Sequence, residues 1–511
     1  MATDSPSLAA RVFGIDTRSL AALRIAVASL ALIDLANRLT GFDALYTDAG
    51  VAPLALGRTL GRTFSLYGLD GSEAFALALA AAQAIACAML LVGYRTRAAS
   101  VASFALVASL ELRNPFVNNG GDAFLRMLLF WCMFLPLGAT ASIDALRARR
   151  RGAPAGPFLA CSPATAAVML QLGILYFVAG VTKTGPEWVD GSALRIALDQ
   201  RYWTREFAFV LASHPDGLVV GTYATRWLEI ALPLLLFVPA LASDRAGQRA
   251  RIATVLGLWI FQAGLASTFV LNLFPWASTC GTLAFLPPRF WAWIRARTGP
   301  DAYDTPPLLA RPPGALRAAG DAAVLVALAA NLALAGATAV HASAPRWLDR
   351  AGGFLGFEQS WTMYAPSPIE FDLDVEVLGH FESGEIERLL GPVSSTRFRA
   401  PATRAPGAAG SPERAGWERV VALHDGHRLK VYLETGLRMG KRVEALRQGY
   451  LAWVCREWNR AAREGERIDA VAFVGLSRRT GVDGPEPPKT LQLSERSCAA
   501  DPTDLSVGIA D

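Results

Sequence analysis

Long apolar segments alternate with short polar loops over roughly the first two thirds of the chain. A helix needs about 20 mostly apolar residues to cross the hydrocarbon core of a bilayer. The segments that approach this length lie near 19–37, 73–93, 98–112, 123–140, 162–182, 217–242, 251–268, 270–288 and 320–340. The pattern therefore predicts a polytopic α-helical membrane protein with about nine transmembrane helices.

The loops between these segments predict their orientation. Arginine is concentrated in four of them, YRTR (94–97), RARRR (147–151), DRAGQRAR (244–251) and the stretch from Arg289 to Arg317. Basic residues favour cytoplasmic loops, so we expect a cytoplasmic N-terminus (1–18) followed by a transmembrane domain (19–340). The loops around 113–122 and 182–216 then face outside, as does everything after 341.

Residues 341–479 change to the pattern of a small C-terminal α+β domain, which this orientation places outside the cytoplasm. FDLDVEVLGHFESGEIERLL (371–390) alternates apolar and polar residues around an ESGE turn, which is typical of a β-hairpin. VEALRQGYLAWVCREWNRA (443–461) places its apolar residues on one helical face. RIDAVAFVGL (467–476) is typical of a further strand.

Two stretches beyond the membrane part lack such a pattern. Residues 398–416 are rich in Pro, Ala and Gly and predict a disordered loop. Residues 480–511 predict a flexible tail. Cys455 and Cys498 both lie in this polar part, and the sequence leaves open whether they form a disulfide.

The composition agrees with a membrane protein that carries a separate polar part. The 511 residues are 52% hydrophobic and 18% charged, whereas soluble domains are about a quarter charged. The net charge of +5 comes from the arginine-rich loops, and no basic tract interleaved with aromatic residues indicates a nucleic-acid partner. The cysteines lack the spacing of a zinc site. We expect the lipid bilayer as partner, no nucleic acid and no metal.

Ionisable residues inside apolar segments need partners or water, because an isolated charge in a bilayer is costly. Three pairs share a predicted helix: Arg24 with Asp34, Asp122 with Arg126, and Arg226 with Glu229. Arg24 and Asp34 lie about 15 Å apart along their helix, whereas the other two pairs are spaced i,i+4 and i,i+3. These positions favour structural salt bridges and, for Asp122, a helix-starting carboxylate that complements the helix dipole. The alternative is a polar cavity among the helices near the outer face.

The loop RNPFVNNGGD (113–122) precedes a predicted helix. Asn118, Asn119 and Asp122, with two glycines between them, are typical of a tight turn and helix N-cap. The same amides and helix N–H groups could hold a polar ligand headgroup. Both interpretations stay open at this stage.

The stretch LYFVAGVTKTGPEWVDG (175–191) places Lys183 at the end of an apolar helix, before a Gly-Pro break and Trp188. A lone lysine at this position is most often an interfacial anchor that reaches water. A lysine in a partly desolvated pocket can instead act as a base near neutral pH. Residue chemistry alone does not decide between them.

Several ordered motifs resemble the vitamin K-dependent γ-glutamyl carboxylases and the wider HTTM family, named for a horizontally transferred transmembrane domain. YFVAGVTKTGPEWVDGSAL resembles the stretch that carries their base lysine. The other motifs follow in the family's order: LRIAVASLALIDLANR, LYTDAGVAPL, NPFVNNGGDAFLRMLLFWCMFLPLGA, WLEIALPLLLF, LNLFPWASTCGTLAFLP and FEQSWTMYAPSP (357–368). Together they cover roughly residues 15–370, so the chain is identified as a bacterial member of this family.

The resemblance implies a chemistry. In the carboxylases a lysine deprotonates reduced vitamin K, oxygen adds, and the strongly basic product removes a γ-proton from a glutamyl side chain before CO2 adds. Lys183 would be that base, with reduced vitamin K or menaquinol as cofactor. Asn118, Asn119, Asp122 and Trp188 would lie at the quinol site, and Glu229 would handle protons beside it. A protein with glutamyl residues would be a second partner.

The chain also departs from the family pattern. The carboxylases carry two adjacent lysines where this chain has Thr182 and Lys183, and a histidine directly after the Asn pair where it has Gly120. The short domain after 341 shows no counterpart of their large luminal regions. We therefore expect quinol oxidation at the outer face, with or without carboxylation. The alternative is a non-catalytic scaffold, or a lipid or small-molecule binder, that presents its C-terminal domain to a partner.

Overall fold

The protein is described from a computed structural model of the chain. The described residues are 7–59, 64–154, 156–240, 244–296, 306–310, 314–348, 352, 361–392, 405–406, 411–438, 441–479 and 489–501.

The membrane part is helical. Its α-helices are α1 (Leu8–Phe13), α2 (Thr17–Leu39), α3 (Phe42–Tyr46), α4 (Leu54–Thr59), α5 (Glu73–Val92), α6 (Thr96–Arg113), α7 (Gly120–Cys132), α8 (Ile143–Arg150), α9 (Pro163–Val181), α10 (Pro186–Asp190), α11 (Ala193–Asp199), α12 (Phe207–Ala212), α13 (Pro215–Leu235), α14 (Asp244–Thr268), α15 (Phe274–Thr282), α16 (Pro288–Ala296) and α17 (Ala315–Ala339). Two short strands, β1 (Ile15–Asp16) and β2 (Leu159–Ala160), pair antiparallel.

Six helices among the described residues are long and apolar enough to cross a membrane. They are Thr17–Leu39, Glu73–Val92, Pro163–Val181, Pro215–Ala240, Arg245–Thr268 and Ala315–Ala339. Each corresponds to one of the predicted segments. The chain is therefore a multi-pass membrane protein.

The other three predicted spans are helices of a different kind. The 18 residues of α6 include Arg97, Glu111 and Arg113, whereas α7 has only 13 residues and α15 has 9. At 1.5 Å per residue, a helix like α7 is about 20 Å long, shorter than a hydrocarbon core of about 30 Å. The apolar character of α7 reflects burial within the protein, because α7 is buried from Gly121 to Cys132. Composition alone does not separate a buried helix from a spanning one.

The C-terminal region contains a four-stranded antiparallel sheet in the order β4-β3-β5-β6. Its strands are β3 (Phe371–Phe381), β4 (Ile386–Leu390), β5 (Ile468–Arg479) and β6 (Lys489–Ser497), and its helices are α18 (Pro412–His424), α19 (His427–Gly436) and α20 (Lys441–Ala461). The predicted hairpin is β3–β4, paired from Val377 with Leu390 to His380 with Ile386. The predicted helix and the further strand are α20 and β5.

Two predictions for this region were wrong in part. The segment 480–511 is not a flexible tail throughout, because residues 489–497 form the edge strand β6 along β5. Within the predicted disordered loop, residues 412–416 begin α18, whose N-cap Ser411 accepts a hydrogen bond from Arg414 N–H at 3.2 Å. The period-2 signal of β6 is weak because most of its residues are exposed. The remainder of both stretches lies largely outside the described residues.

A disulfide joins Cys455 on α20 to Cys498, directly after β6. The cysteines are 43 residues apart in the chain, so the bond restricts a long loop in the unfolded state. The question that the sequence left open is thereby answered. The disulfide fixes the edge strand to the helical layer.

Replacing both Cys455 and Cys498 by serine is expected to lower the free energy of unfolding by about 2–4 kcal/mol. Chemical denaturation of the purified protein measures this loss. The wild-type protein treated with a thiol reductant should match the double variant. An unchanged midpoint after reduction would show that the disulfide does not stabilise the fold.

The C-terminal domain packs directly on the membrane part. One hydrophobic core contains residues from α3, the 42–67 region, α18–α20 and the sheet. Tyr432 Oη donates to the Val51 carbonyl at 3.0 Å, and Arg456 donates to the Ala49 carbonyl at 2.5 Å. Gly449 permits this approach, since a Cβ there would lie 2.6 Å from the Val51 oxygen. The domain can therefore contribute residues to a site in the membrane part.

Candidate functional site

Lys183 lies in the short link between helices α9 and α10. Helix α9 begins with a capping box in which Ser162 and Thr165 exchange hydrogen bonds. It ends before Lys183, and Pro186 opens α10 at a first-turn position where its missing N–H is tolerated. The lysine side chain folds back along α9, so that Nζ donates to the Ala179 carbonyl at 3.0 Å.

The Lys183 ammonium is buried against a carboxylate. Lys183 is 2% exposed and Glu229 is 5% exposed, and Nζ donates to Glu229 Oε2 at 2.6 Å. The indole of Trp188 lies beside the ammonium, with Nζ 5.2 Å from the ring centroid. An interfacial anchor would extend into water. Lys183, Glu229 and Trp188 instead form an enclosed group, here called the lysine pocket.

The Glu229 side chain points from α13 toward α9, and not along α13 itself. Its ion-pair partner is Lys183, so the predicted salt bridge with Arg226 was wrong. Gly180 allows α9 and α13 to approach, because a Cβ at this position would lie 3.1 Å from the Glu229 Cβ. The direction of the side chain, rather than sequence spacing, selects the partner.

The segment 361–368, which carries part of the last family motif, closes over the lysine pocket. The indole Nε1 of Trp188 donates to the Tyr364 carbonyl at 2.9 Å. The backbone N–H of Gly185 donates to the Pro366 carbonyl, also at 2.9 Å. The chain after the last spanning helix therefore returns to the site and fixes the orientation of the indole.

The predicted turn and N-cap at the start of α7 are confirmed. Asn119 Oδ1 accepts from Gly121 N–H at 2.8 Å, and Asp122 Oδ2 accepts from Asn119 N–H at 2.7 Å. A side chain at Gly121 would collide with the backbone of Phe274, so the glycine is required by close packing. The capping role leaves Asp122 Oδ1 for other partners.

Two arginines share two carboxylates below this cap. Arg38 donates to Asp34 Oδ2 at 2.7 Å and to Asp122 Oδ1 at 2.6 Å. Arg428, from the C-terminal domain, donates to Asp122 Oδ1 at 3.0 Å and also to Asp34. Asn118 Oδ1 accepts from Arg38 at 3.3 Å, and its Nδ2 donates to a backbone carbonyl of α6 at 2.8 Å. All four charged side chains are buried.

The predicted salt bridge between Asp122 and Arg126 was also wrong. Arg126 bonds to Glu111 of α6, whereas Asp122 pairs with arginines of α2 and α19. Arg24 donates to the Leu137 carbonyl at 2.8 Å. The buried charges are balanced in number, with three carboxylates (Asp34, Glu111, Asp122) against three guanidiniums (Arg38, Arg126, Arg428). These six residues are called the charge cluster.

His427, next to Arg428 on α19, contacts the Asn pair. Its Nε2 lies 2.8 Å from Asn119 Nδ2. Because Asn119 Oδ1 already accepts from Gly121, the amide nitrogen faces the ring and donates to Nε2, which places the ring proton on Nδ1. Burial lowers the pKa of His427 to about 4, so the ring is neutral near pH 7. Among the described residues, the buried Nδ1 has no hydrogen-bond partner.

The lysine pocket and the Asn119–His427 pair are linked by aromatic side chains. Trp203 packs edge-on against His427 at 5.6 Å, and its backbone pairs with the strand-like segment that includes Phe269. Phe269 contacts Tyr364 at 5.8 Å, and Tyr364 accepts the hydrogen bond of Trp188. In the described part of the chain, no hydrogen bond or ion pair joins the two groups directly. The predicted site residues therefore form two polar groups, linked by Trp203, Phe269 and Tyr364, which are here called the aromatic wall.

Sequence reasoning did not single out Arg38, His427 or Arg428. Arg38 had a signal, because it lies four residues after Asp34 on the same predicted helix face. His427 and Arg428 had none: Arg428 lies 306 residues from Asp122 in the chain. Only the packing of the C-terminal domain brings them to the Asn pair.

The fold and these buried groups define a multi-pass membrane protein with a polar site enclosed between its helices and its C-terminal domain. The chain belongs to the HTTM family, since the HTTM domain matches residues 14–291. This match confirms the membership that the ordered motifs predicted. No solved structure matches the chain.

Proposed function

We propose that this protein is a membrane enzyme that oxidises a quinol, with Lys183 as the base. The observation that carries the proposal is the buried pair of Lys183 and Glu229, with Nζ and Oε2 only 2.6 Å apart. A buried, paired ionisable group in a membrane protein is costly and usually functional. A bound quinol, such as reduced vitamin K or menaquinol, would supply the reducing equivalents: with dioxygen it yields the quinone epoxide and water.

The described residues offer suitable groups for such a ligand. When charged, Lys183 Nζ can donate three hydrogen bonds. Two protein acceptors, the Ala179 carbonyl and Glu229 Oε2, lie within hydrogen-bond distance of it. To act as a base it must be neutral, and Glu229 Oε2 is placed to take its proton. The neutral amine would then remove a proton from a ligand hydroxyl at Nζ. Trp188 would pack against the ring system.

At the other end of the aromatic wall, we assign the Nδ1–H of His427 as a donor to a ligand oxygen. Asn119 holds the ring in the tautomer that carries this proton. Asn118 and Asp122 have their hydrogen-bonding atoms occupied by Arg38, Arg428 and backbone groups. Their proposed role is to position Asn119 and α7. The carboxylases have a histidine directly after the Asn pair, where this chain has Gly120. His427 would thereby supply an imidazole beside the pair from another part of the chain.

The direct test uses purified protein in lipid with reduced vitamin K or menaquinol under oxygen. We expect quinone epoxide to form with wild-type protein and not with Lys183→Ala. Epoxide no higher than with the variant would reject the enzymatic proposal. If Lys183→Ala kept its cellular phenotype while removal of the C-terminal domain abolished it, the scaffold alternative would be favoured.

Replacement of His427 by phenylalanine is expected to raise the KM for quinol by about 2- to 10-fold, the effect of one neutral hydrogen bond. His427→Gln, which retains a donor, should recover part of this loss. Because the ring is neutral down to its pKa of about 4, the ratio of the KM values for variant and wild type should stay constant from about pH 8 to 5. Equal KM values for all three proteins would remove His427 from the ligand site.

The proposed orientation places the N-terminus in the cytoplasm and both polar groups at the outer face of the inner membrane. The disulfide between Cys455 and Cys498 supports this assignment, because such bonds persist mainly outside the reducing cytoplasm. Glutamyl carboxylation would need a site for a protein substrate. The short C-terminal domain favours quinol oxidation as the activity to test first.

A further inference from the structure

A cavity of about 610 Å³ lies among the arginine-rich loops, and not among the loops that carry Asn119 and Lys183. It is bounded by the start of α6, the end of α7 and its following turn, helix α8, the start of α9 and the start of α17. None of the residues of the lysine pocket or the charge cluster lines it. By the positive-inside rule this is the cytoplasmic end of the helices. The cavity is therefore separate from the proposed quinol site.

Three arginines line the cavity: Arg97 on α6, Arg149 on α8 and Arg317 on α17. Arg317 has Asp321 at 3.7 Å. In the described part of the chain, Arg97 and Arg149 have no carboxylate partner within salt-bridge distance, and both side chains are solvent-exposed. Two guanidiniums thus face a shared space with their donors available.

The acidic residue in the lining does not neutralise these arginines. Asp144 accepts hydrogen bonds from Arg95 N–H at 3.0 Å, from Thr96 N–H at 2.7 Å and from Thr96 Oγ1 at 2.7 Å. The Asp144 carboxylate therefore interacts with the N-terminus of α6, which carries the partial positive charge of the helix dipole. The lining consequently retains a net positive charge.

Part of the cavity wall is apolar. It is formed mainly by the turn after α7, with Met133, Phe134, Leu135 and Leu137, and by Leu309. A bare inorganic anion would leave most of a 610 Å³ space unfilled. An amphiphile with an anionic head and an apolar body matches both the arginines and the apolar part of the lining.

We propose that this cavity binds a phosphate group, held by Arg97 and Arg149, at the cytoplasmic membrane surface. The apolar wall favours an anionic phospholipid as the source, since basic pockets between membrane helices bind lipid headgroups. A soluble phosphate compound shares the chemistry of the headgroup. The guanidinium fork matches phosphate oxygens in either case.

Cys161 provides a local reporter, because it lines the cavity, is half-buried and lies outside the disulfide. The rate at which a water-soluble maleimide labels Cys161 is measured in phosphatidylcholine vesicles with and without phosphatidylglycerol. A second arm adds inorganic phosphate in the absence of phosphatidylglycerol. A Cys161→Ser variant identifies the labelled position, and native mass spectrometry counts retained lipid.

Phosphatidylglycerol is expected to slow labelling in the wild type, with binding weakened about fivefold for each arginine replaced. Arg97→Gln with Arg149→Gln should abolish most of the protection, whereas Arg150→Gln, an exposed arginine on α8 outside the cavity, should retain it. Arg149→Gln alone serves if the double variant fails to fold. Equal protection by inorganic phosphate, with the same arginine dependence, supports the site and assigns it to soluble phosphate. No protection in either arm, or protection that persists in the arginine variants, overturns the proposal.

Discussion

Lys183→Ala is expected to abolish quinol oxidation and to destabilise the protein at the same time. The substitution removes the proposed base and leaves the Glu229 carboxylate buried without its ion-pair partner. Removing one partner of a buried pair costs about 3–5 kcal/mol. Loss of activity in this variant alone would therefore not distinguish a catalytic lysine from a structural one.

The double variant Lys183→Met with Glu229→Leu separates the two effects. Two apolar side chains of similar size replace the whole ion pair, and such replacement is often neutral or stabilising. We expect the double variant to unfold at wild-type denaturant concentration or above, and to form no epoxide. Unfolding in mixed micelles gives the stability, and chromatography of the quinone products gives the activity. A stable double variant that still oxidises quinol would exclude Lys183 as the base.

Arg428→Met should lower the free energy of unfolding by about 3–5 kcal/mol, because it removes one of two arginines from a buried pair of carboxylates. Arg428 joins the C-terminal domain to Asp34 and Asp122 of the membrane part. With Arg38 alone, the two carboxylates have one guanidinium between them. Denaturant titration with domain-specific fluorescence or proteolysis measures the effect. The C-terminal domain should detach before the membrane helices unfold.

Arg419→Met is the matched control for this prediction. Arg419 also pairs across the same boundary, with Asp43 at 2.5 Å, but its side chain is 55% exposed. Exposed ion pairs contribute about 0–1 kcal/mol, so this variant should unfold close to the wild type. Similar losses in the two variants would show that burial of the charge cluster does not determine the strength of the boundary. Arg428→Lys, which keeps the charge but loses the planar fork, should lie between them.

Local signals predicted the elements around the site. Asn119 and Asp122 have the spacing of an N-cap and begin α7 as expected. Gly185 and Pro186 end α9 beside Lys183 and open α10. Such signals act between residues a few positions apart, so they are contained in the sequence itself.

Partners of the buried charges could not be predicted in the same way. Spacing favoured Arg226 for Glu229 and Arg126 for Asp122, and both assignments were wrong. Neighbours on one helix compete with side chains from other helices, and in a buried environment the better hydrogen-bond geometry determines the pair. That geometry depends on how helices pack, which no local pattern specifies.

Local sequence patterns are enough to identify a multi-pass membrane protein of the HTTM family with a C-terminal α+β domain. Long apolar runs, the turn chemistry and ordered motifs are properties of consecutive residues, and they persist before any packing occurs. Only the tertiary structure placed Lys183 against Glu229 and brought His427 to Asn119, across 308 residues of chain. Lys183 meets Glu229 because α9 packs closely on α13 at Gly180. His427 reaches Asn119 because the C-terminal domain shares a hydrophobic core with the membrane part. Helix packing and burial of that core, and not sequence proximity, assemble the site.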